Sequence, residues 1–338
     1  MNIPATVITA VLCFGITALL GFVAIPALRK LKFGQTILDI GPAWHKSKNG
    51  TPTMGGVMFI AGVVISFAAG IAIMWASGAI DMDGVGSQKL AKAISAVVMA
   101  LMFGFVGFVD DLIKVKKKQN EGLKPIQKII MQVLIIAAFF TSHVIAGDTS
   151  TVITFPFLGQ FDFGIFYYIV MGLGILYLVN AVNLTDGIDG LCSSVTLVYC
   201  GAYVLICSLV GMGEMGLVAA AAGAGCLGFM VWNLHPAKVM MGDTGSMFLG
   251  GIVTAVGIGT KTEFVMVICC AVYIWEALSV MIQMTYYKLT KGKRLFKMTP
   301  IHHSFEMSGW KEGKIVMVFS AIELLACVVG VLLQYFGN

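Results

Sequence analysis

Ten separate stretches of roughly twenty apolar residues recur along this 338-residue chain, and no water-soluble fold buries that many. They lie at about 3–28, 54–78, 91–109, 126–146, 164–182, 192–211, 215–234, 244–262, 264–287 and 315–336. Inside a bilayer each backbone amide and carbonyl needs a partner within its own segment, so each run is expected to be an α-helix. Hydrophobic residues make up 58% of the chain and charged residues only 12%, about half the charge of an ordinary soluble domain. The expected fold class is therefore all-α: a polytopic membrane protein of about ten transmembrane helices, in one integral membrane domain over 1–338.

The N-terminus MNIPATVITA, where the first span begins, lacks a basic leader, and its apolar stretch is too long for a cleaved signal, so an uncleaved first span is expected. All eight cysteines fall in or beside the apolar runs, where they pack as small apolar residues and form no metal-binding spacing. Ten spans sort the loops into two sets. One set carries 19 of the 22 Lys and Arg residues, and the other carries only Lys89, Lys92 and Lys261. Positive residues accumulate on the cytoplasmic side, which places the basic set inside and both termini outside. The same division gathers FVDDLIK, NLTDGIDG, MGDTG and IHHSFE on the inner face.

Each of these segments has an ordinary reading beside a chemical one. Asp110 and Asp111 end the third span with Lys114 three and four residues on, which suits an exposed ion pair. Adjacent carboxylates nevertheless raise each other's pKa unless a cation compensates them, which suits an acid, a base or a metal neighbour. NAVNLTDGIDGL spaces Asn180, Asn183, Asp186 and Asp189 three residues apart. A glycine-terminated helix explains its glycines but not its acids, which the helix macrodipole disfavours at a C-terminus. Asp243 stands between two glycines and, like Thr244, could simply cap the span that follows. His302 and His303 lie in the most basic loop, where phosphate oxygens suit them better than zinc does, since no third ligand is near. HKSKNGTPTMGG, holding Lys48 and Thr53, reads equally as a flexible loop or an anion cradle, and it lacks the order of a P-loop. Glu276 and Glu323 lie inside apolar spans, and either suits a bond to a neighbouring helix better than catalysis.

Taken in order, GTPTMGG, DDLIK, NAVNLTDGIDGL, MGDTGS and PIHHSFE closely resemble the phospho-N-acetylmuramoyl-pentapeptide-transferase family of bacterial peptidoglycan synthesis. The resemblance implies transfer of phospho-MurNAc-pentapeptide from its UDP carrier to undecaprenyl phosphate, giving lipid I and UMP with Mg²⁺ as cofactor. It makes Asp110, Asp111, Asp243 and His302 the catalytic residues, with Asp243 the Mg²⁺ ligand. Lys48, Thr53, Lys114, Lys128, Asn180, Asn183, Asp186, Asp189 and His303 fall where substrate is bound. Where the family reads HHHFE, this chain has Ser304 as the third residue. The expected partners are UDP-MurNAc-pentapeptide, undecaprenyl phosphate and the lipid bilayer, with no nucleic acid; a homodimer is compatible with them. The expected location is the bacterial cell membrane.

Two rival readings share parts of this pattern. A sister enzyme loading GlcNAc-1-phosphate or another HexNAc-1-phosphate onto the same lipid would share the Asp pair and the Asp-rich loop, and PIHHSFE argues against it. An ion-coupled transporter would place its acids near the bilayer midplane at broken helices. Here they cluster at span ends.

Overall fold

The structure, a computed structural model, describes residues 2–30, 50–80, 84–117, 119 and 121–337. Twelve helices and one hairpin follow one another along these residues. They are α1 (Ile3–Lys30), α2 (Gly56–Ala76), α3 (Val85–Lys117), α4 (Pro125–Ile145), β1 (Val152–Phe155), β2 (Gly159–Asp162), α5 (Phe166–Thr185), α6 (Leu191–Leu209), α7 (Gly213–Asn233), α8 (Gly242–Gly259), α9 (Glu263–Cys269), α10 (Ala271–Leu289), α11 (Ile301–Glu306) and α12 (Glu312–Phe336). The protein is thus all-α apart from β1 and β2, which pair antiparallel with Val152 opposite Asp162 and Phe155 opposite Gly159. Large apolar side chains cover the outer helix surfaces: Leu19 is 68% exposed, Phe22 67% and Val23 70%. Such a surface is stable only against lipid.

Among the described residues, eight helices are long and apolar enough to cross a membrane, or nine if α9 and α10 count as one bent span. The expected span at 264–287 is therefore corrected. It breaks at Cys270, and its halves meet at 73°. Glu323 of α12 makes the break tolerable by accepting a hydrogen bond from the Val272 amide at 3.1 Å, one of the donors that opens at the start of α10.

The expected span at 244–262 becomes α8, which is absent from the group of nine. Every residue from Thr244 to Gly259 is buried. Enclosed by other helices, α8 does not need lipid-grade apolarity and instead carries the small residues that close helix packing demands. Its 18 residues rise about 27 Å, close to the hydrocarbon thickness.

The contacts at its two ends show that α8 crosses the whole bundle. At the start of α8, Asp243 meets Lys128 of α4 at 2.8 Å. Beyond its end, Lys261 meets Asp148, which follows α4, at 3.5 Å. The two helices therefore run parallel from one face, called here the site face, to the other, which bears the hairpin. Asp148 also pairs with Lys92 near the start of α3 at 2.6 Å. Burial works against its charge, yet the two lysines hold its carboxyl below the ordinary aspartate value. The chain ends join the hairpin face: Asn2 bonds Ser77 at the end of α2, and the Phe157 amide donates to the Gly337 carbonyl.

All eight native cysteines are buried, so introduced ones report cleanly. Lys117 ends α3 on the site face, and Leu158, 74% exposed, lies at the hairpin turn. Cysteines placed at these two positions are expected to react with a membrane-impermeant maleimide from opposite sides of the bilayer. Labelling of both from one side would refute the traverse of α8.

Candidate active site

The site is assembled where the C-terminal end of α3, the start of α4, the end of α5 and the start of α8 converge. α3 and α8 approach so closely that a methyl group on Gly107 would collide with the Asp243 carbonyl. Gly242, at φ +72°, brings the chain into α8 in a left-handed conformation, and a Cβ there would lie 2.6 Å from Asp111 Oδ2 and 2.8 Å from Thr53 Oγ1. Glycine is the residue that meets both demands, the positive φ and the missing space.

Asp111 binds the first turn of α8. Its Oδ2 accepts the Thr244 amide at 2.9 Å and the Thr244 hydroxyl at 2.7 Å, and its Oδ1 accepts the Asp243 amide at 3.3 Å. The capping carboxylate thus comes from α3, where the sequence suggested Asp243 or Thr244. An anion at a helix N-terminus is favoured by the macrodipole as well as by the unpaired amides.

Asp110, only 1% exposed, accepts the Leu123 amide on Oδ1 at 2.7 Å. Its Oδ2 pairs with Lys114 at 2.6 Å and with Lys128 at 3.1 Å. The same two ammonium groups reach Asp243 Oδ2, at 3.1 and 2.8 Å. Asn183 donates to Asp243 Oδ1 at 3.1 Å and to Ser246 Oγ at 2.8 Å. Carboxylate oxygens of Asp110, Asp111 and Asp243 all lie within 4.8 Å of one another, a spacing that can hold a metal ion. Three carboxylates this close are compatible with folding because two lysines pair with Asp110 and Asp243 while the α8 amides and the Thr244 hydroxyl bind Asp111.

The other expected residues take different places. Thr53 sits beside Gly242, at the edge of the cluster, and Lys48 lies outside the described residues. Asn180 binds α4 to α5 through Gln132, whose Oε1 accepts its amide at 3.0 Å. Asp186 caps the end of α5, its amide donating to the Asn183 carbonyl. Asp189 accepts the Ala237 amide at 3.0 Å and lies 3.0 Å from His235 Nδ1, and its own amide donates to Glu312. With His235 and Glu312 it forms a second group of metal-ligating type, apart from the first.

His302 is wholly buried. Its Nδ1 lies 3.0 Å from Glu276 Oε2, and its Nε2 has no hydrogen-bond partner and points at Gly187, where a methyl group would collide with it. His303 is partly exposed and binds Glu306 at 2.6 Å. The adjacent imidazoles therefore occupy unlike environments, as neighbours turned by about 100° on a helix should.

Sequence reasoning passed over Ser246, His235 and Glu312; it named Thr244 only as a candidate cap, and it gave Glu276 a bond to a neighbouring helix without identifying His302 as the partner. Glu276 alone carried a signal, an ionisable group inside an apolar span. Thr244, Ser246 and Glu312 look like ordinary helix-start residues until their partners are seen.

Comparison with known proteins bears on the same residues. Residues 93–261 match the family model for Glycosyl transferase family 4, a stretch holding Asp110, Asp111, Lys114, Lys128, Asn183 and Asp243. Residues 48–60 match Phospho-N-acetylmuramoyl-pentapeptide-transferase signature 1. A phospho-N-acetylmuramoyl-pentapeptide-transferase of Clostridioides difficile (strain 630) is 40% identical over 335 residues, covering 98% of each chain. Another so named, from Desulfitobacterium hafniense, is 40% identical over 343 residues, again covering 98% of both. That of Halalkalibacterium halodurans is 39% identical over 328 residues, 97% of each. The chain belongs to the phospho-N-acetylmuramoyl-pentapeptide-transferase family. In a transferase of this family the acid–lysine cluster is the candidate catalytic centre, and the buried His302–Glu276 pair lies under the Asp186–Gly187 turn beside it.

Gly187→Ala is expected to displace that turn or His302 and to lower transferase turnover on the order of a hundredfold, as small misplacements at active sites do. The thermal unfolding midpoint should change little. His303→Ala should cost far less activity than Gly187→Ala; near-normal turnover of Gly187→Ala would show that the His302–Gly187 contact is unimportant.

Proposed function

We propose that this chain transfers phospho-MurNAc-pentapeptide from UDP-MurNAc-pentapeptide to undecaprenyl phosphate, forming lipid I and UMP at the cytoplasmic face of a bacterial cell membrane. The observation that carries the reading is the meeting of Asp110, Asp111 and Asp243 with Lys114 and Lys128 at one helix-end face. In sequence, the loops joined to these helix ends carry 19 of the 22 Lys and Arg residues, and Lys89, Lys92 and Lys261 fall in the other set. The positive-inside rule therefore supports a cytoplasmic site with both termini outside.

In the reaction an oxygen of the lipid phosphate attacks the sugar-linked phosphorus of the UDP-sugar. The diphosphate P–O bond breaks, and UMP leaves with the bridging oxygen. Several negative charges gather at one point, so fixed cations are the main catalytic need. Lys114 and Lys128 would turn their ammonium groups from Asp243 to phosphate oxygens. Asp111 keeps the start of α8 in place, and Asn183 orients Asp243 through Oδ1. Asp110 steadies both lysines and can accept a proton only after those ion pairs loosen. The acceptor phosphate, with a second pKa near 6, is already mostly dianionic at neutral pH, so this proton transfer is undemanding.

The oxygen donors of the cluster fit a hard divalent cation, and Mg²⁺ characteristically takes one or two carboxylates and keeps several waters. Asp243, with 20% of its side chain exposed against 1% for Asp110, is the carboxylate open to such an ion. When bound, Mg²⁺ would neutralise diphosphate charge and polarise the reacting phosphorus. Thr53, Asp186 and His303, together with Lys48, are proposed as contacts to the nucleotide sugar. Asn180 and Asp189 would act by holding α4, α5 and the His235 turn in register.

Asp243→Asn is expected to leave the protein folded and to reduce UMP release by at least about a thousandfold at every Mg²⁺ concentration, the scale typical of losing a main electrostatic group. Retained activity with unchanged Mg²⁺ dependence would exclude Asp243 as the metal ligand. Substrate choice is checked by comparing UMP release from UDP-MurNAc-pentapeptide and UDP-GlcNAc at equal concentration. The former should be preferred by orders of magnitude, and the reverse preference would assign the chain to HexNAc-1-phosphate transfer.

A further inference from the structure

Glu276 of α10 and His302 of α11 form a polar pair that packing alone does not require. Both side chains are wholly buried, and the carboxylate Oε2 lies 3.0 Å from the imidazole Nδ1. Among the described residues, the other polar atom of each, Glu276 Oε1 and His302 Nε2, has no hydrogen-bond partner. Buried polar atoms left unpaired are costly, and replacing both members of such a pair by apolar groups of the same shape is often neutral or stabilising. A pair kept in this state calls for a use other than cohesion.

The two faces of the imidazole pair define which nitrogen carries the proton. Glu323 holds the first turn of α10 through the Val272 amide, and Glu276 follows Val272 by four residues, one turn later on the same helix face. An ionised carboxylate only accepts, so Glu276 puts the ring proton of His302 on Nδ1 and leaves Nε2 bare. Gly187 lies against that bare nitrogen. A methyl group added to Gly187 would lie nearest Nε2, with Cε1 at 2.7 Å and Cδ2 at 3.3 Å, which puts it close to the axis of the Nε2 lone pair. A bare Nε2 receives the Gly187 methylene there as a weak C–H donor, whereas a hydrogen on Nε2 would collide with it.

On the transferase reading above, we infer that Glu276 is a positioning residue of the reaction: by fixing the tautomer of His302 it seats the Asp186–Gly187 turn, and through that turn the end of α5. The Asp186 amide donates to the Asn183 carbonyl at 3.3 Å, and Asn183 Nδ2 donates to Asp243 Oδ1 at 3.1 Å. The contacts thus run without a gap from the inside of α10 to the most open carboxylate of the acid–lysine cluster. His302 has no exposed surface of its own, so its part is played through the turn it supports.

Glu276→Gln separates this role from that of a structural bridge. The variant is isosteric and can still bond Nδ1, so a bridge would survive it; its amide group can also donate, which releases the ring proton to Nε2. Ring nitrogens are followed by NMR of the full chain carrying isotope-labelled histidine, the His302 signals being those lost in His302→Ala. The unaltered protein should show the proton on Nδ1 and a bare Nε2, and Glu276→Gln should show a protonated Nε2. UMP release from UDP-MurNAc-pentapeptide with undecaprenyl phosphate should fall about a hundredfold in Glu276→Gln, the scale of a small misplacement at an active site. In the His302→Ala background the same substitution should cost nothing further, because the two residues act as one unit.

The assignment is overturned if the unaltered ring carries its proton on Nε2, a measurement that needs no Glu276 variant to fold. It is equally overturned if Glu276→Gln turns over at a near-normal rate, which would leave the pair a structural bridge, or if it costs as much with His302→Ala as without. Absence of UMP release by the unaltered protein would instead refute the transferase reading itself.

Discussion

The close approach of α3 to α8 is the constraint on which the other features of the site depend. Gly107 lies against the Asp243 carbonyl, a Cβ on Gly104 would lie 3.2 Å from Phe248 Cβ, and one on Gly251 would lie 2.7 Å from Ala100 Cα. In a membrane no water is released when helices meet, so contact must come from packing of small residues and from interhelical hydrogen bonds. Both operate along this seam. The glycines let the backbones approach, and Asp111 then reaches the first amides of α8. A bulkier residue at Gly107 would separate Asp110 and Asp111 from Asp243 and with them the two halves of the candidate metal site.

That seam also explains how such a dense group of charges is held at the edge of a hydrocarbon phase. Removing one partner of a buried ion pair leaves an uncompensated charge, which is far more costly than the pair itself is stabilising. Here each lysine serves two carboxylates, Asp110 and Asp243, and the first amides of α8 bind the third, Asp111. The arrangement suits a reaction in which phosphate oxygens take over the lysines: the protein holds its cations ready against acids that an arriving anion and a metal ion can replace. A fixed charge pattern of this kind needs little reorganisation when charge develops in the reaction.

Much of the fold was legible because bilayer thickness imposes a simple rule on helix length. Eight spans follow from apolarity alone, and the expectation that the motifs share one face follows from the distribution of Lys and Arg. α8 was located, although its apolarity is weak, because it has the length of a span. The break at Cys270 was not legible, since hydropathy averages over a segment and cannot register that Glu323, some fifty residues on, satisfies an amide there. The hairpin at Val152–Asp162 escaped for a related reason: its short strands carry no long periodic signal.

Residue types and spacing determined the class of protein, the expectation that its polar motifs share one side, and the resemblance that singled out Asp110, Asp111, Asp243, Lys114 and Lys128. Tertiary structure decided what each of them touches. It made Asp111 the clamp on α8, Asp110 the anchor of two lysines and Asp243 the more open carboxylate, roles that three similar aspartates do not reveal in sequence. It set Asp189 with His235 and Glu312, away from the cluster that its motif suggested, and it paired His302 with Glu276. The physical reason is the same throughout. Apolarity and charge partition each segment between lipid and water independently of its neighbours, whereas hydrogen bonds and ion pairs depend on distances of a few ångströms between segments far apart in the chain, 133 residues for Asp111 and Thr244.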